Sequence, residues 1–437
     1  MQRVRPPNFR HHRQHLTAIR RAALAAADPA ACMQRSLQVV DSALHVAGRR
    51  LCLGPDSRIY VVALGKASVA MSTAAAEILG RRLTAGVAAV PRTTQVGPRD
   101  RIRFIPAGHP LPDRGSLAAA QAASQLLATT RPGDVVLVLI SGGGSAMFEL
   151  PRSPVSLTDL RRLNQLLLRS GAPIQALNAV RRSLSQVKAG GLARMAAPAQ
   201  AVGLVLSDVV GDRLSAIASG PTVLGRPTAR QARQILMEFS LWEQIPETVR
   251  AVLQSPPPRT RRCPRPCNLI IGSNRQIIEA AQAEARARGF RTSVVSDCMT
   301  GEASRAGRAI ARRLANAIPP ACLLMGGETT VTIRKGGQGG RNQELALAAA
   351  IALADQPRVA LMALASDGVD GPTDAAGAIV TGATFAQATR RGWDPARSLA
   401  AHDAYPLLDR IGALLRTGPT GTNLNDLIVG LAYPSPR

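Results

Sequence analysis

Gly336, Gly337, Gly339 and Gly340 fall within five residues, and Arg341 follows them where an Ala/Leu-rich helix is expected to begin near Asn342. Glycines leave backbone N–H groups unshielded, and a helix start adds unpaired donors and partial positive charge, so this stretch has the chemistry of a phosphate cradle, and taken alone it reads equally as a flexible hairpin loop. Arg341 adds a fixed cation whose fork suits a phosphate or a carboxylate. A second cluster, Ser141-Gly142-Gly143-Gly144-Ser145, lies where an apolar strand gives way to a helix, and its N–H groups suit an anion equally. Lys66, in Gly65-Lys66-Ala67-Ser68, falls at another strand-to-helix turn, the usual ligand position in open α/β sheets. It is not a Walker A lysine, because Tyr60 stands where that motif places its first glycine.

Carboxylates are the second ingredient. Asp208 and Asp212, in Ser207-Asp208-Val209-Val210-Gly211-Asp212, come after a further expected strand. They suit Mg²⁺, which takes one or two carboxylates when a nucleotide supplies its other ligands, and they read equally as solvated turn residues. Asp367, Asp370 and Asp374 alternate with glycines but lack the spacing and terminal glutamate of a calcium loop. His109 lies in the rigid loop Gly108-His109-Pro110-Leu111-Pro112-Asp113, and Asn178, Arg181, Arg182 and Lys188 lie in the mostly helical stretch 156–196.

The positioning elements are read from apolar periodicity. Strands are expected at 58–64, 134–140, 201–206, 269–271, 292–296, 323–325, 329–333, 359–365 and 427–431. The run 134–140 is apolar enough to be central and covered on both faces. Residues 12–48 read as two helices, one with Leu16, Ile19 and Ala23 on a face, the other with Leu37, Val40 and Leu44. Further helices are expected up to Leu79, over 114–128, and ending near Arg288 and Asn316. The proline-dense segment 255–266 is the clearest linker, dividing domains at 1–255 and 267–437. The fold class is therefore α/β, with two Rossmann-like domains, largely parallel sheets and an interdomain active-site cleft. Loops of glycine, basic residues and carboxylates around such a cleft suit phosphoryl transfer, in which positioning and charge neutralisation supply most of the catalysis.

Composition narrows the alternatives. The 437 residues are 46% hydrophobic with near-zero mean hydropathy, and no apolar run approaches the roughly 18 residues that cross a bilayer. The net charge of +26 invites a nucleic-acid reading, but Lys66, Lys188 and Lys335 are the only lysines among 54 basic residues. Such an arginine excess points to compositional bias, the arginines are scattered, and aromatics, at 3%, are scarce as stacking platforms. Neither nucleic acid nor membrane is an expected partner. Cys32, Cys52, Cys263, Cys267, Cys298 and Cys322 show no repeated pair spacing, as expected of free thiols in a cytoplasmic protein.

The motifs also carry a resemblance. A-L-G-K-A-S at 63–68, G-H-P-L-P-D at 108–113, L-I-S-G-G-G-S-A at 139–146, S-D-V-V-G-D at 207–212 with A-S-G-P-T at 218–222, G-G-E-T-T-V at 326–331, G-G-R-N-Q-E at 339–344 and T-G-P-T-G-T-N at 417–423 run in order over nearly the whole chain. Together they resemble the glycerate 2-kinase family containing the MOFRL domain. The resemblance implies transfer of the ATP γ-phosphoryl group to the 2-hydroxyl of D-glycerate, a divalent cation such as Mg²⁺, and an active site between two α/β domains. By motif, the family's functionally important lysine and arginine correspond to Lys66 and Arg341. Asp208 is the expected metal ligand or base, with Asp212 a second metal ligand and Asp367 the competing base. Ser141, Gly142, Gly143, Gly144, Ser145, His109, Asn178, Arg181, Gly337, Gly339, Gly340 and Asp367 are the expected substrate and nucleotide contacts. Ser366 departs from the family's threonine, and Leu177 to Arg182 is a variant of a helix bearing Asn and Arg-Lys, which leaves fine substrate preference open. A homodimer is compatible with the chain. The alternative, an NAD(P)H-dependent hydroxypyruvate reductase, needs a dinucleotide site, and no G-x-G-x-x-G occurs.

Overall fold

A computed structural model describes residues 7–94, 97, 101–225, 228–256, 262–333 and 336–435. These residues fold into two units, Cys32–Ser207 with Asp212–Ile271, and the described parts of Met1–Ala31, Asp208–Gly211 and Gly272–Arg437. This differs from a division at the proline-rich segment in three places, one of them the loop Asp208–Gly211, which groups with the C-terminal half. The N-terminal helix His12–Ala27 buries Leu16, Ile19 and Ala23 and packs in the unit built from the C-terminal half, where His15 Nδ1 lies 3.0 Å from the Tyr433 hydroxyl. The strand after the segment belongs to the sheet of the other unit. Residues 262–266 carry no helix or strand, as their prolines dictate.

The first unit opens with a three-stranded antiparallel meander, β1 Leu37–Val40, β2 Ala43–Val46 and β3 Arg49–Cys52. A helix was expected to reach into this region. Leu37, Val40 and Leu44 share helical spacing, but Asp41 turns the chain with φ +50°, so Leu37 and Leu44 are buried while Val40 is 46% exposed. Then come β4 Ile59–Leu64, β5 Leu83–Pro91, β6 Ile102–Ala107, β7 Val135–Ile140, β8 Gln200–Leu206 and β9 Cys267–Gly272, in the order β6-β5-β4-β7-β8-β9. β4 to β8 are parallel, and every residue of β4 and β7 is buried, as central parallel strands covered on both faces require. Helices over Leu157–Arg169, Ile174–Ser183, Ala229–Glu238 and Glu247–Gln254 form a separate apolar cluster around Leu163, Leu167, Val180 and Leu236.

The second unit holds β10 Arg291–Met299, β11 Ala321–Gly327, β12 Val359–Ala365, β13 Gly377–Thr381, β14 Leu414–Leu415 and β15 Asp426–Ala432, in the order β10-β11-β15-β12-β13-β14. Only the β10–β11 pairing is parallel, which corrects the expectation of a largely parallel sheet here. The C-terminal strand β15 inserts antiparallel between β11 and β12, and a strand buried on both faces reads as the same apolar run in either direction. The strand expected at 329–333 reduces to a single bridge from Thr330 to Glu302, with Ile333 71% exposed.

Helix Arg341–Ala352 is buried from Asn342 to Ala350, hence apolar nearly all round, and crosses helix Ala303–Ala315 at Gly307. Alanine is the better helix former by about 1 kcal/mol. A Cβ at Gly307, however, would lie 2.2 Å from the Leu345 carbonyl oxygen, and overpacking costs about 1–3 kcal/mol. Gly307→Ala is therefore expected to lower the urea midpoint. An unchanged or raised midpoint would show that the two helices separate at no cost.

Candidate active site

The strand order creates a site before any side chain is considered. From β4 the chain runs outward through β5 and β6, then returns to β7 on the other side of β4. The reversal leaves a crevice at the carboxyl ends of β4 and β7, where open α/β sheets take ligands. Gly65 leaves β4 with φ +113°, and a Cβ there would stand 2.4 Å from both the carbonyl oxygen and Oγ of Ser141. Only glycine permits that approach. The Lys66 N–H donates to the Gly142 carbonyl at 2.8 Å, Ala67 N–H to Ser141 Oγ at 3.1 Å and Ser141 N–H to the Leu64 carbonyl at 3.0 Å. The two loops thus behave as one body.

Gly143 has φ +81°, and a Cβ on it would lie 3.0 Å from His109 Cδ2 and 3.4 Å from Lys66 Cγ. The exposed Lys66, the Gly143 backbone and His109 are therefore neighbours. His109 keeps an exposed edge, yet desolvation and then the Lys66 ammonium hold its pKa below the ordinary imidazole value. Both influences favour the neutral ring. The far side of the glycine loop is braced by Ser219, whose Oγ lies 2.9 Å from Ser145 Oγ. Ala218 and Ser219 both occupy the left-handed region, at φ +47° and +62°, a strain of about 1–3 kcal/mol each that the surrounding contacts must hold.

Beside the loop opens a pocket of about 180 Å³ lined by His109, Ser145, Glu149, Asn164, Arg181 and Lys188 among others. Arg181 donates from Nε to Asn164 Oδ1 at 2.7 Å, and its pKa is lowered by burial and raised by the Glu149 charge. The buried Lys188 ammonium pairs with Glu149 Oε2 and donates to the Ser145 carbonyl at 3.0 Å. Asn178 shares a helix with Arg181 but does not line the pocket.

The second unit carries its own polar cluster. Arg341 grips Asp426 through Nε at 2.6 Å and Nη2 at 2.9 Å, and reaches Glu328 at 3.0 Å. Burial raises the pKa of Asp426, and Arg341 works against that rise. Asn425 Nδ2 donates to the Asp208 carbonyl at 2.9 Å and to Glu328 Oε2 at 3.2 Å, joining Asp208 to this cluster. Asp367 takes the Val369 N–H at 3.1 Å, and Gly368 packs so closely that a Cβ would lie 2.0 Å from the Gly418 carbonyl oxygen. Ser366 Oγ accepts the Leu424 N–H at 2.8 Å, so serine keeps the hydroxyl this turn uses.

Behind the glycine run at 336–340, the start of the following helix is capped by the protein itself. The buried carboxylate of Asp370 accepts the N–H groups of Asn342 at 3.0 Å and Gln343 at 2.9 Å, capping helix Arg341–Ala352. A Cβ at Gly340 would stand 2.4 Å from Asp370, and one at Gly337 2.4 Å from the Ala401 carbonyl oxygen, so these glycines serve close packing; Gly339 is less crowded. Asp208 and Asp212 fall in different units, and no group of three or more His, Cys, Asp or Glu suited to a metal occurs among the described residues. Sequence reading missed Glu149, Asn164, Glu328 and Asn425. The signal for Glu149 was Lys188, a rare lysine in an arginine-rich chain.

The loop carrying His109 is anchored by Asp113, which caps helix Arg114–Leu127. Burial alone would raise its pKa, but the Ser116 N–H, Arg92 and the Gly108 N–H outweigh that and hold it at about 2, below the ordinary 3.8. A depressed carboxylate stabilises the fold above its unfolded pKa and loses that contribution as pH falls through the folded one. Asp113→Asn is thus expected to cost about 2 kcal/mol at pH 7 and to approach no cost near pH 2. Equal destabilisation at both pH values in urea titrations would contradict this.

Comparison with known proteins agrees with the geometry. Residues 15–254 match a domain family of unknown function (DUF4147), and residues 321–426 match the MOFRL family. A glycerate 2-kinase from Pyrococcus horikoshii is 42% identical over 94% of this chain and 94% of its own. A relative from Agrobacterium vitis, 38% identical over 95% of this chain and 93% of its own, bears a hydroxypyruvate reductase name. The crystal structure of a glycerate kinase from Thermotoga maritima superposes with a TM-score of 0.87 at 38% identity, covering 97% of this chain and 100% of that one. Motif order, fold and length of match coincide, and the chain belongs to the glycerate 2-kinase family that carries a MOFRL domain.

Proposed function

We propose that this protein is a glycerate 2-kinase that transfers the ATP γ-phosphoryl group to the 2-hydroxyl of D-glycerate, giving 2-phosphoglycerate and ADP. The observation that carries the reading is the pairing of Lys66 with the glycine loop 141–145 at the strand-order reversal, beside a cationic pocket sized for a small acid. In the transfer, the 2-hydroxyl oxygen bonds to the γ-phosphorus as the bridging bond to ADP breaks, and the hydroxyl proton leaves. Lys66 neutralises charge on the transferring group, Arg181 holds the glycerate carboxylate, and Asp208 takes the proton, with Asp367 as the competing base. Mg²⁺ needs only one or two carboxylates when phosphates complete its shell, so Asp208 also fits as a metal ligand, and the ion would neutralise phosphate charge. In the same reading Arg341 keeps Asp426 and Glu328 paired near Asp208.

The test is incubation with D-glycerate, ATP and Mg²⁺ and detection by enolase without added mutase, which responds only to the 2-phosphate. Silence in that assay together with NAD(P)H oxidation on hydroxypyruvate would favour the reductase instead. Lys66→Arg then probes the mechanism. Lys188 is buried in an ion pair and Lys335 lies outside the described residues, whereas Lys66 is exposed at the crevice. A compact ammonium approaches a phosphoryl group end-on, while a planar fork is wider. The replacement is expected to cost about 3–4 kcal/mol in the transition state, about a hundredfold to a thousandfold in kcat. A folded Lys66→Arg enzyme within a few-fold of wild type would remove Lys66 from the chemistry.

A further inference from the structure

The pocket beside the glycine loop has an uneven charge count. Its titratable lining residues are His109, Glu149, Arg181 and Lys188. Lys188 and Glu149 form an ion pair with side chains only 1% and 7% exposed, and Glu149 Oε1 also accepts from Ser185 Oγ at 2.5 Å and the Leu150 N–H at 3.0 Å. Arg181 is held by the neutral amide of Asn164, and the partly exposed His109, whose charged form is disfavoured by partial burial and by Lys66, sits beside Lys66. Two cations and one carboxylate leave one positive charge in excess within about 180 Å³. Burying an ion pair rarely stabilises a fold more than apolar side chains of similar volume would, so stability alone does not account for it.

Building on the glycerate kinase reading, we infer that Glu149 is a specificity-determining residue. By cancelling Lys188 it restricts the pocket to an acid with one carboxylate, seated on Arg181, and rejects a hydroxy acid of the same size that carries two. With Lys188 cancelled, Arg181 is the one uncancelled cation of the pocket lining, so a second carboxylate would enter a confined space with no lining cation left to neutralise it, beside the first carboxylate that it repels. Lys188 also fixes the Ser145 carbonyl, so the cancelled charge is tied to the glycine loop.

The probe is tartronate, which keeps the three-carbon skeleton and the 2-hydroxyl of glycerate and replaces its hydroxymethyl group with a second carboxylate. Calorimetric Kd and kcat/KM for D-glycerate and tartronate are compared in the wild type, in Glu149→Gln, and in the double variant Lys188→Met with Glu149→Leu. The wild type is expected to prefer D-glycerate by about a hundredfold, and Glu149→Gln to narrow that preference by about tenfold or more through tighter tartronate binding. The double variant leaves the excess at one charge and should keep the preference. A wild-type enzyme binding both acids within a few-fold overturns the inference even if Glu149→Gln does not fold. A folded Glu149→Gln with unchanged preference overturns it as well, as does a double variant with relaxed preference. D-glycerate that binds selectively but is never phosphorylated would refute the kinase reading and leave the charge rule standing.

Discussion

The close approach of Gly65 to Ser141 is the contact on which the rest of the candidate site depends. Two parallel strands side by side bring their succeeding turns near each other, but only a residue without a Cβ lets one backbone lie against the next. Three hydrogen bonds donated by backbone N–H groups then join the turns, fixing the direction in which Lys66 leaves β4 and in which the glycine loop leaves β7. That junction in turn positions His109, Ser145 and the pocket. The left-handed pair Ala218-Ser219 supports it from behind, an instance of local strain held by packing around a reactive loop.

The two units satisfy their polar groups in contrasting ways. Around the β4–β7 junction, Lys66 is exposed and Arg181 shares its guanidinium with a single amide. In the other unit Arg341 is bound by two carboxylates, and Asp370 closes the helix start behind the glycines. A helix N-terminus attracts whatever anion reaches it first, and a buried carboxylate from the same chain arrives with no loss of translational freedom. That is why a glycine-rich run before a helix is weak evidence for a phosphate site on its own.

Much of the first unit was legible in the sequence because its central strands are unbroken apolar runs that end in glycine. β4 and β7 and the loops after them are readable from that signal alone. β5 and β6 were not legible, since β5 sets three alanines and a glycine among its few larger apolar residues and β6 interrupts its pattern with Arg103 and Pro106. The mixed direction of the second sheet leaves no trace in the composition of β15, because burial on both faces selects the same side chains either way. The partners of the polar groups were invisible for a different reason. Asp370 lies 28 residues from Asn342, and Glu149 lies 39 from Lys188, separations at which sequence spacing carries no geometry.

The most direct test of the junction's role is Gly65→Ala, assayed for kcat/KM with D-glycerate alongside its melting temperature. A methyl group at 2.4 Å from Ser141 must push the two turns apart, and a misplacement of about 1 Å in reacting groups costs on the order of a hundredfold in rate. A folded, cooperative protein with that loss of activity is the expected result. Near-wild-type turnover by Gly65→Ala would show that the junction does not position the site.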